Sequence, residues 1–346
     1  MAIRVNTKLI VPQRCKAVLE KAPVEDPGPR QILVRNHYTL MNMGTEMCVF
    51  GAFPEGSWYE KHIRYPFWAG WGSTGEVVAV GDRVGELRVG DRVVTDAHHG
   101  TYGIEHVDHP EGPQKVPEGL SDEQAGLWSM SRVALLGIRR ANINIGESVV
   151  IVGQGIVGQL TLRYAHLSGA YRLFAVDPSP MRLELGRRGG ATHALEGPIE
   201  AFEEEIVRLN KGRKVDCVIE CTGIASVFPA SARIVRMGGR LVSLGSPRGT
   251  TSMDLREAIH PGVDLLGAHW STYAQVETHH NPWTAARNGE VYLDLVQAGL
   301  MDVSGLISHT FNWREAPDAY QQILQDRTRF MAVRFDWRDC PDSEGS

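Results

Sequence analysis

Short apolar runs separated by glycine and proline dominate the first third of the chain. From about residue 3 to 117, segments such as GEVVAVGDRVGELRVGDRVV alternate valine-rich runs with Gly-Asp turns. β-branched residues favour strands, and the turn residues between the runs end each strand. The pattern predicts an antiparallel, partly barrelled β domain.

Near residue 120 the pattern changes to an alternation of strand-like and helix-like segments. SDEQAGLWSMSRVALLGIRRA has apolar residues at helical spacing and a candidate N-cap at Ser121. Strand-like segments follow, with predicted helices between the first four: SVVIV, LFAV, VDCVIE, GRLVSLG and VDLLGAH. This alternation indicates βαβ units on a parallel, doubly wound sheet.

The last part of the chain mixes both patterns. NPWTAARNGEVYLDLVQAG and REAPDAYQQILQD are predicted helices, whereas LISHTF and MAVRFDW are predicted strands. We expect this tail to fold back onto the β domain. The predicted domains are therefore 1–119 together with 271–346, and 120–270.

Composition and charge limit the classes of function. With 346 residues, of which 42% are hydrophobic, the chain is long enough for two domains. A formal net charge of -5 gives no long-range attraction to nucleic acid or anionic membranes. No apolar run approaches a bilayer span, and the amino terminus lacks the apolar core of a signal peptide. We therefore expect a cytoplasmic protein with a small-molecule substrate, no nucleic-acid or membrane partner, and five reduced cysteines.

The strongest motif is SVVIVGQGIVGQLTLRYAHLSGA, which predicts a dinucleotide site. Gly153, Gly155 and Gly158 form G-x-G-x-x-G between a β-branched strand and an amphipathic helix. The first glycine permits a tight turn, the second lets a pyrophosphate approach the backbone, and the third lets helix and strand pack closely. Ile156 and Val157 open the helix, whose free N–H groups and dipole face the phosphates. The alternative is a tight turn without a ligand.

The next strand, LFAVD, ends at Asp177, where an acid holds the adenosine ribose hydroxyls. A carboxylate there repels a 2′-phosphate, so NAD is the predicted cofactor rather than NADP. Arg182 either flanks the adenosine or is a solvated surface arginine. Two later loops follow apolar strands and are expected on the nicotinamide side. Their candidate cofactor-binding residues are Cys221, Thr222, Gly245, Ser246 and Pro247.

Three segments together resemble the medium-chain dehydrogenase/reductase family, the relatives of zinc alcohol dehydrogenase. They are GEVVAVGDRVGELRVGDRVV, the glycine motif with VDPSPMRLELGRRGGA, and LISHTFNWREAPDAYQQIL with its last strand. The resemblance covers nearly the whole chain. It implies an α/β fold in which a β-rich, GroES-like catalytic domain, built from both chain ends, forms a cleft with a Rossmann NAD-binding domain. The family's assemblies lead us to expect a homodimer or homotetramer.

The family's zinc ligands are missing from the matching positions. Met43 stands where the family has a zinc-binding cysteine, Trp71 replaces the histidine, and Gly72 replaces the glutamate that follows it. The family's third position falls at about Ser129 and Met130. Zinc binds thiolate, imidazole or carboxylate groups, so the resemblance predicts that no catalytic zinc is bound.

The family's structural zinc lobe falls near residues 96–112, where this chain has no cysteine. Four histidines occur there, without convincing ligand spacing: His98, His99, His106 and His109. We expect ordinary loop or cleft histidines and no metal.

Without zinc, another group must take the substrate's proton. Thr45 matches the family's proton-relay hydroxyl. Glu46 matches the acid that supports the metal ligands; it either serves as, or orients, a general base, or is a buried acid paired with an arginine. Further acid/base candidates are Tyr59, His62, His98 and His99. Aromatic candidates for the substrate cleft, or alternatively for the core or a lid, are Trp58, Trp71, Trp128 and Trp270.

Within the family, Met-Gly-Thr-Glu resembles a zinc-lacking branch that includes bacteriochlorophyllide hydroxyethyl dehydrogenases and relatives that look like sugar or cyclitol oxidoreductases. The expected function is hydride transfer between NAD(H) and a secondary alcohol or ketone of a sugar- or cyclitol-like substrate, without zinc. The alternatives are a hydroxyethyl-macrocycle dehydrogenase, a redox-neutral epimerase or lyase with tightly bound NAD, and a non-catalytic nucleotide-binding protein. A quinone or enoyl reductase is disfavoured because those zinc-free relatives use NADPH.

Overall fold

The computed structural model describes residues 4–51 and 57–342. Its strands are β1 (Val5–Gln13), β2 (Lys16–Pro23), β3 (Gln31–Leu40), β4 (Phe67–Trp68), β5 (Ser73–Val80), β6 (Arg92–Thr95), β7 (Tyr102–His106), β8 (Gln114–Lys115), β9 (Ser148–Val152), β10 (Arg172–Asp177), β11 (His193–Glu196), β12 (Val215–Glu220), β13 (Val235–Ser243), β14 (Asp264–Gly267), β15 (Ile307–Asn312) and β16 (Ala332–Asp336). Its α-helices are α1 (Met43–Gly51), α2 (Trp58–His62), α3 (Asp122–Ala125), α4 (Trp128–Ala141), α5 (Ile156–Leu167), α6 (Pro180–Arg188), α7 (Glu203–Leu209), α8 (Val227–Arg233), α9 (Arg256–Ile259), α10 (Ala285–Gln297) and α11 (Ala316–Gln325).

The described residues divide into two compact units. The first comprises residues 4–51, 62–129 and 274–342, and the second comprises 57–61 and 130–273. The predicted fold class is confirmed: one unit is the β-rich, GroES-like domain and the other is the Rossmann-like α/β domain. No helix in the described parts of the chain is long and apolar enough to cross a bilayer.

The second unit is built on a parallel sheet with the order β11-β10-β9-β12-β13-β14. Its central strand, SVVIV, is buried at every position, as a strand covered on both faces must be. The strand order reverses between β9 and β12, with Ile151 paired to Ala175 on one side and to Ile219 on the other. Ligands of doubly wound sheets bind at the carboxyl ends of the strands beside this reversal.

The first unit carries a largely antiparallel sheet with the order β15-β16-β3-β5-β6-β8, in which β7 also pairs with β3. The chain's last strand joins its early part, because Arg334 of β16 pairs with Leu40 of β3. The predicted return of the tail onto the β domain is therefore confirmed. A buried core forms where α1 and α11 meet these strands, and it includes Met43, Phe50 and Tyr320.

The sequence missed some elements and merged others. Strand β11 and helix α7 were not predicted; each is short and lies between the predicted helix MRLELGRRG and the strand VDCVIE. The single helix expected after Ser121 is two helices, because α3 ends at Ala125 and α4 begins at Trp128. The N-cap itself is present, since Ser121 and Gln124 form a reciprocal capping box.

Candidate functional site

The glycine-rich loop joins β9 to α5, and each glycine has a separate structural reason. Gly153 adopts a φ of +86°, which is unfavourable for other residues. A Cβ on Gly158 would lie 1.9 Å from the Gly153 carbonyl oxygen, so only glycine permits this helix–loop approach. A Cβ on Gly155 would have no protein atom within 4 Å, so the space beside Gly155 is open to a ligand. Gly155 is also the N-cap of α5 and provides no side-chain cap.

Asp177 lies at the end of β10, next to this loop. Its carboxylate accepts the backbone N–H of Gln154 at 2.7 Å and that of Ser179 at 2.9 Å. The Arg182 guanidinium lies 3.8 Å from the same carboxylate and is mostly buried. The expectation of a solvated surface arginine is thus wrong. The open glycine, the uncapped helix end and the acid at the adjacent strand end fit a dinucleotide.

The two loops predicted on the nicotinamide side follow β12 and β13 and pack backbone to backbone. A Cβ on Gly223 would lie 2.2 Å from the Ser246 carbonyl oxygen, and one on Gly245 would lie 2.2 Å from the Gly223 nitrogen. Cys221 and Thr222 are half-buried in the first of these loops, and Pro247 is exposed in the second. The structure therefore places all three loops at the carboxyl edge of one sheet.

In the first unit, Glu46 is part of a buried hydrogen-bond network. It is 1% exposed, and one carboxylate oxygen accepts from the Tyr320 hydroxyl and from His99 Nε2, the latter at 3.2 Å. The other oxygen accepts the Asn42 N–H at 2.7 Å. Burial alone would raise the pKa of Glu46, but His99, Tyr320 and the Asn42 N–H together hold that pKa below its usual value.

The same network continues to the strands. His99 Nδ1 lies 2.7 Å from the Thr39 hydroxyl, which also accepts the Trp337 Nε1–H at 2.8 Å. Both ring nitrogens of His99 are therefore engaged, Nδ1 by Thr39 and Nε2 by Glu46. Both Glu46 and His99 are inaccessible to a substrate. The interpretation of either as a general base is therefore wrong, and so is the expected arginine partner of Glu46, because His99 and Tyr320 take its place.

The backbone next to the three altered zinc positions lies close together in the fold. The Leu40 N–H donates to the Gly72 carbonyl at 2.8 Å, which sets the strand end before Met43 beside Gly72. A Cβ on Gly72 would lie 3.1 Å from Ser129 Cβ. Met43 is buried in the apolar core, Trp71 is half-buried, and Ser129 is buried with a hydroxyl that has no hydrogen-bond partner among the described residues.

These side chains do not fit a zinc ion. A thioether, an indole and a neutral hydroxyl are not the thiolate, imidazole or carboxylate donors that zinc requires. Within residues 4–51 and 57–342, no group of three or more His, Cys, Asp or Glu could hold a metal ion.

The histidines of the segment 96–112 have separate surroundings. His99 belongs to the buried network, whereas His98 is exposed. His106 Nδ1 accepts the Asp108 N–H at 3.3 Å, and His109 Nδ1 accepts the Glu111 N–H at 3.2 Å. His106 and His109 are therefore turn residues of an ordinary loop, one of the two alternatives expected from the sequence.

The tryptophans predicted to face the substrate differ in burial. Trp128 is 1% exposed, and its Nε1–H donates to Gln114 at 2.6 Å, so Trp128 is a core residue and its substrate-facing interpretation is wrong. In the second unit, Trp58 and Trp270 are each about half exposed, and Trp58 packs edge-on against the buried Tyr59. His62 is exposed at the end of α2, and residues 52–56 of the same segment lie outside the described residues.

Comparison with known proteins follows the same division. The family model for the alcohol dehydrogenase GroES-like domain matches residues 28–127, and that for zinc-binding dehydrogenases matches residues 157–284. The chain belongs to the medium-chain, zinc-type alcohol dehydrogenase family. This family member is accordingly an oxidoreductase.

Two curated members of the family align with most of this dehydrogenase. Sorbitol dehydrogenase from Ovis aries is 25% identical over 91% of this chain and 92% of its own length. L-threonine 3-dehydrogenase from Shewanella sp. (strain ANA-3) is 26% identical over 85% and 89%. Identities at this level leave the substrate of this dehydrogenase open.

Solved structures show the same fold at lower identity. An Escherichia coli oxidoreductase/dehydrogenase of unknown specificity superposes with a TM-score of 0.82 at 18% identity, covering 96% of this chain and 99% of that one. A putative zinc-binding dehydrogenase from Sinorhizobium meliloti 1021, bound to NADP, gives 0.79 at 18% over 96% and 99%. A short chain alcohol dehydrogenase from E. coli CFT073, complexed with NADH, gives 0.79 at 16% over 96% and 99%. Proteins of this fold therefore include binders of either dinucleotide.

Sequence reasoning missed three residues that the structure places at these sites. Tyr320 and Thr39 belong to the Glu46 network, and Glu220 orders the loop after β12. Only Glu220 had a local signal, because it is an acid at the end of an apolar strand directly before Cys-Thr-Gly.

Proposed function

We propose that this dehydrogenase transfers a hydride between NAD(H) and a secondary alcohol or ketone of a polyhydroxylated, sugar- or cyclitol-like substrate, without a catalytic zinc. We place it in the zinc-lacking branch of the family, because its Met-Gly-Thr-Glu motif resembles the motif of that branch. We expect a cytoplasmic homodimer or homotetramer.

The dinucleotide cradle is the observation that carries the proposal. The open Gly155, the close Gly153–Gly158 contact and the helix end without a side-chain cap match the roles that pyrophosphate binding assigns to the motif. Asp177 supports NAD over NADP because its carboxylate would meet a 2′-phosphate. Arg182 offsets part of that repulsion, which makes the preference a matter of degree. A bound nicotinamide would supply the hydride acceptor or donor.

The proton is assigned to Thr45. Its half-buried side chain lies in the first turn of α1, and its N–H donates to Asn42 Oδ1 at 3.2 Å. Asn42 is held in turn by Glu46, so the buried network fixes the turn that carries the hydroxyl. In alcohol oxidation a bound nicotinamide would accept the hydride, and the Thr45 hydroxyl would accept the substrate's hydroxyl proton while passing its own proton towards solvent.

The substrate class rests on two supports. One of the aligned relatives is named for sorbitol, a polyol, and another solved structure of this fold is a 2R,3R-butanediol dehydrogenase from Bacillus subtilis, which is 18% identical. The half-exposed Trp58 and Trp270 offer flat apolar faces of the kind that stack on sugar rings. Vicinal hydroxyls on a compact carbon frame are therefore the first choice for a screen.

The test is to purify the protein without added cofactor, determine any bound dinucleotide, and screen sugars, polyols and cyclitols for NADH formation and for product. Steady NADH formation with a ketone product supports the proposal. Product without NADH would instead indicate redox-neutral use of tightly bound NAD, and dinucleotide binding without any product would indicate a non-catalytic protein. Thr45→Val should lower kcat by about 10²-fold or more, whereas the matched Thr45→Ser should retain most activity.

A further inference from the structure

Glu220, at the end of β12, holds the loop that follows it. Its side chain is buried, and Oε1 accepts the Thr222 N–H at 2.5 Å, the Gly223 N–H at 2.9 Å and the Thr222 hydroxyl. Three donors on a single carboxylate oxygen fix the loop conformation, because hydrogen bonds to an ionised acceptor are stronger than neutral ones.

The backbone of the same residue holds the neighbouring loop. The Glu220 carbonyl accepts the N–H groups of Leu244 at 2.9 Å and Gly245 at 2.8 Å. The Arg248 N–H donates to the Gly223 carbonyl at 2.9 Å. A single strand end therefore organises both loops at the carboxyl edge of the sheet.

Thr222 connects this arrangement to the dinucleotide motif. Its Cγ2 lies 2.6 Å from the place where a Cβ of Gly153 would stand, so the loop packs directly on the first glycine. The strands beneath are in register, since Glu220 pairs with Val152, the residue before Gly153. A change in the position of Thr222 is thus transmitted to the turn that receives the pyrophosphate.

We propose that Glu220 is a positioning residue for the dinucleotide, acting through Thr222, and that binding weakens when Glu220 takes up a proton. The inference rests on the proposed dinucleotide binding but not on any substrate or on the absence of zinc. Protonation neutralises the acceptor of the three hydrogen bonds, which frees Thr222 from its position against Gly153.

The direction of the pH dependence follows from the surroundings of Glu220. Burial raises the pKa of Glu220, while its bonds to Thr222 and Gly223 and the positive charge of Arg248 act in the opposite direction without cancelling the rise. Burial, and then the negative charge of Glu220, raises the pKa of the neighbouring Cys221 thiol, so this thiol stays protonated. Dinucleotide affinity should therefore fall as the pH drops towards the acid range, beginning above the ordinary glutamate pKa of about 4.3.

The experiment is to measure the Kd of NADH by fluorescence titration from about pH 8 down to about pH 5, just above the ordinary glutamate pKa. The variants are Glu220→Gln and Thr222→Val, with Glu204→Gln on the exposed face of α7 as the matched control. Glu220→Gln and Thr222→Val should weaken binding about tenfold at pH 8, a change of about 1.4 kcal/mol. Glu220→Gln should also lose the wild-type fall in affinity at low pH. Glu204→Gln should resemble the wild type.

Two results would overturn the inference: wild-type affinity in Glu220→Gln, or weakened binding that keeps the wild-type pH profile. The second result would assign Glu220 to stability alone. If Glu220→Gln does not fold, wild-type affinity in Thr222→Val would overturn the inference in the same way. Wild-type protein that binds no NADH at any pH would instead refute the proposed function itself.

Discussion

The hydrogen bond from Tyr320 to Glu46 should contribute more to stability than an ordinary buried tyrosine bond. Tyr320→Phe removes only the hydroxyl, and the ring contacts with Phe50 at 5.2 Å and Phe335 at 6.2 Å remain possible. The lost bond ends on a carboxylate, and such bonds contribute about 1.5–3 kcal/mol. Glu46 would keep its bonds to His99 and Asn42, so the acid stays partly satisfied.

The chain provides a matched control in Tyr292. It is as completely buried as Tyr320, but its hydroxyl donates to the backbone carbonyl of Gln124. A neutral bond of this kind contributes about 0.5–1.5 kcal/mol. Tyr320→Phe should therefore lower the free energy of unfolding by about 1 kcal/mol more than Tyr292→Phe, measured by urea unfolding followed by circular dichroism.

The difference should depend on pH in a defined way. The pKa of Glu46 is lowered in the folded protein, so its contribution is present above the unfolded glutamate pKa of about 4.3 and is lost as the pH falls through the folded pKa. Burial and Glu46 raise the pKa of Tyr320, so the tyrosine's contribution is present below about pH 10 and lost above it. Equal losses for the two Phe variants at pH 7 would refute the charge-assisted bond.

Three further predictions concern the glycine loop, the cofactor preference and the core. Gly155→Ala should fold normally and bind NADH about tenfold more weakly, because its methyl group would occupy the open space beside the helix end. Gly158→Ala should also lower the melting temperature, because its Cβ would lie 1.9 Å from the Gly153 carbonyl oxygen. Normal NADH affinity in Gly155→Ala would contradict this prediction. Asp177→Asn should narrow the preference for NADH over NADPH about tenfold in paired Kd measurements, and an unchanged ratio would show that the carboxylate does not select the cofactor. Trp128→Phe should lower the free energy of unfolding by about 1–3 kcal/mol, through loss of the hydrogen bond to Gln114, without changing KM for the substrate. A raised KM with unchanged stability would instead show that Trp128 contacts the substrate.

The fold was largely readable from local patterns. The buried strand SVVIV, the three glycines and Asp177 lie close together in sequence. Their spacing predicts the tight turn at Gly153, the open backbone at Gly155 and the close packing of Gly158 against the loop. Periodicity likewise separated the β-rich part from the alternating part, because it reflects which faces are buried. Short elements such as α7 escaped, since a seven-residue helix carries too few apolar positions to show a period.

The catalytic candidates were harder to predict because their partners are distant in sequence. Tyr320 lies 274 residues from Glu46, and no pattern around either residue announces the bond. Exposure, which decides whether an acid can meet a substrate, is likewise set by tertiary packing. The sequence therefore singled out Glu46, but it could not show that both of its carboxylate oxygens accept hydrogen bonds from within the protein.

The central claim is hydride transfer without zinc, and metal content of the active enzyme tests it most directly. The protein should be treated with a chelator, its zinc-to-protein ratio measured by mass spectrometry, and its NADH formation assayed on the same sample with a substrate found in the polyol screen. Full turnover is expected at a zinc content far below one ion per chain. Activity that falls in proportion to the zinc removed, and returns when zinc is added, would contradict it.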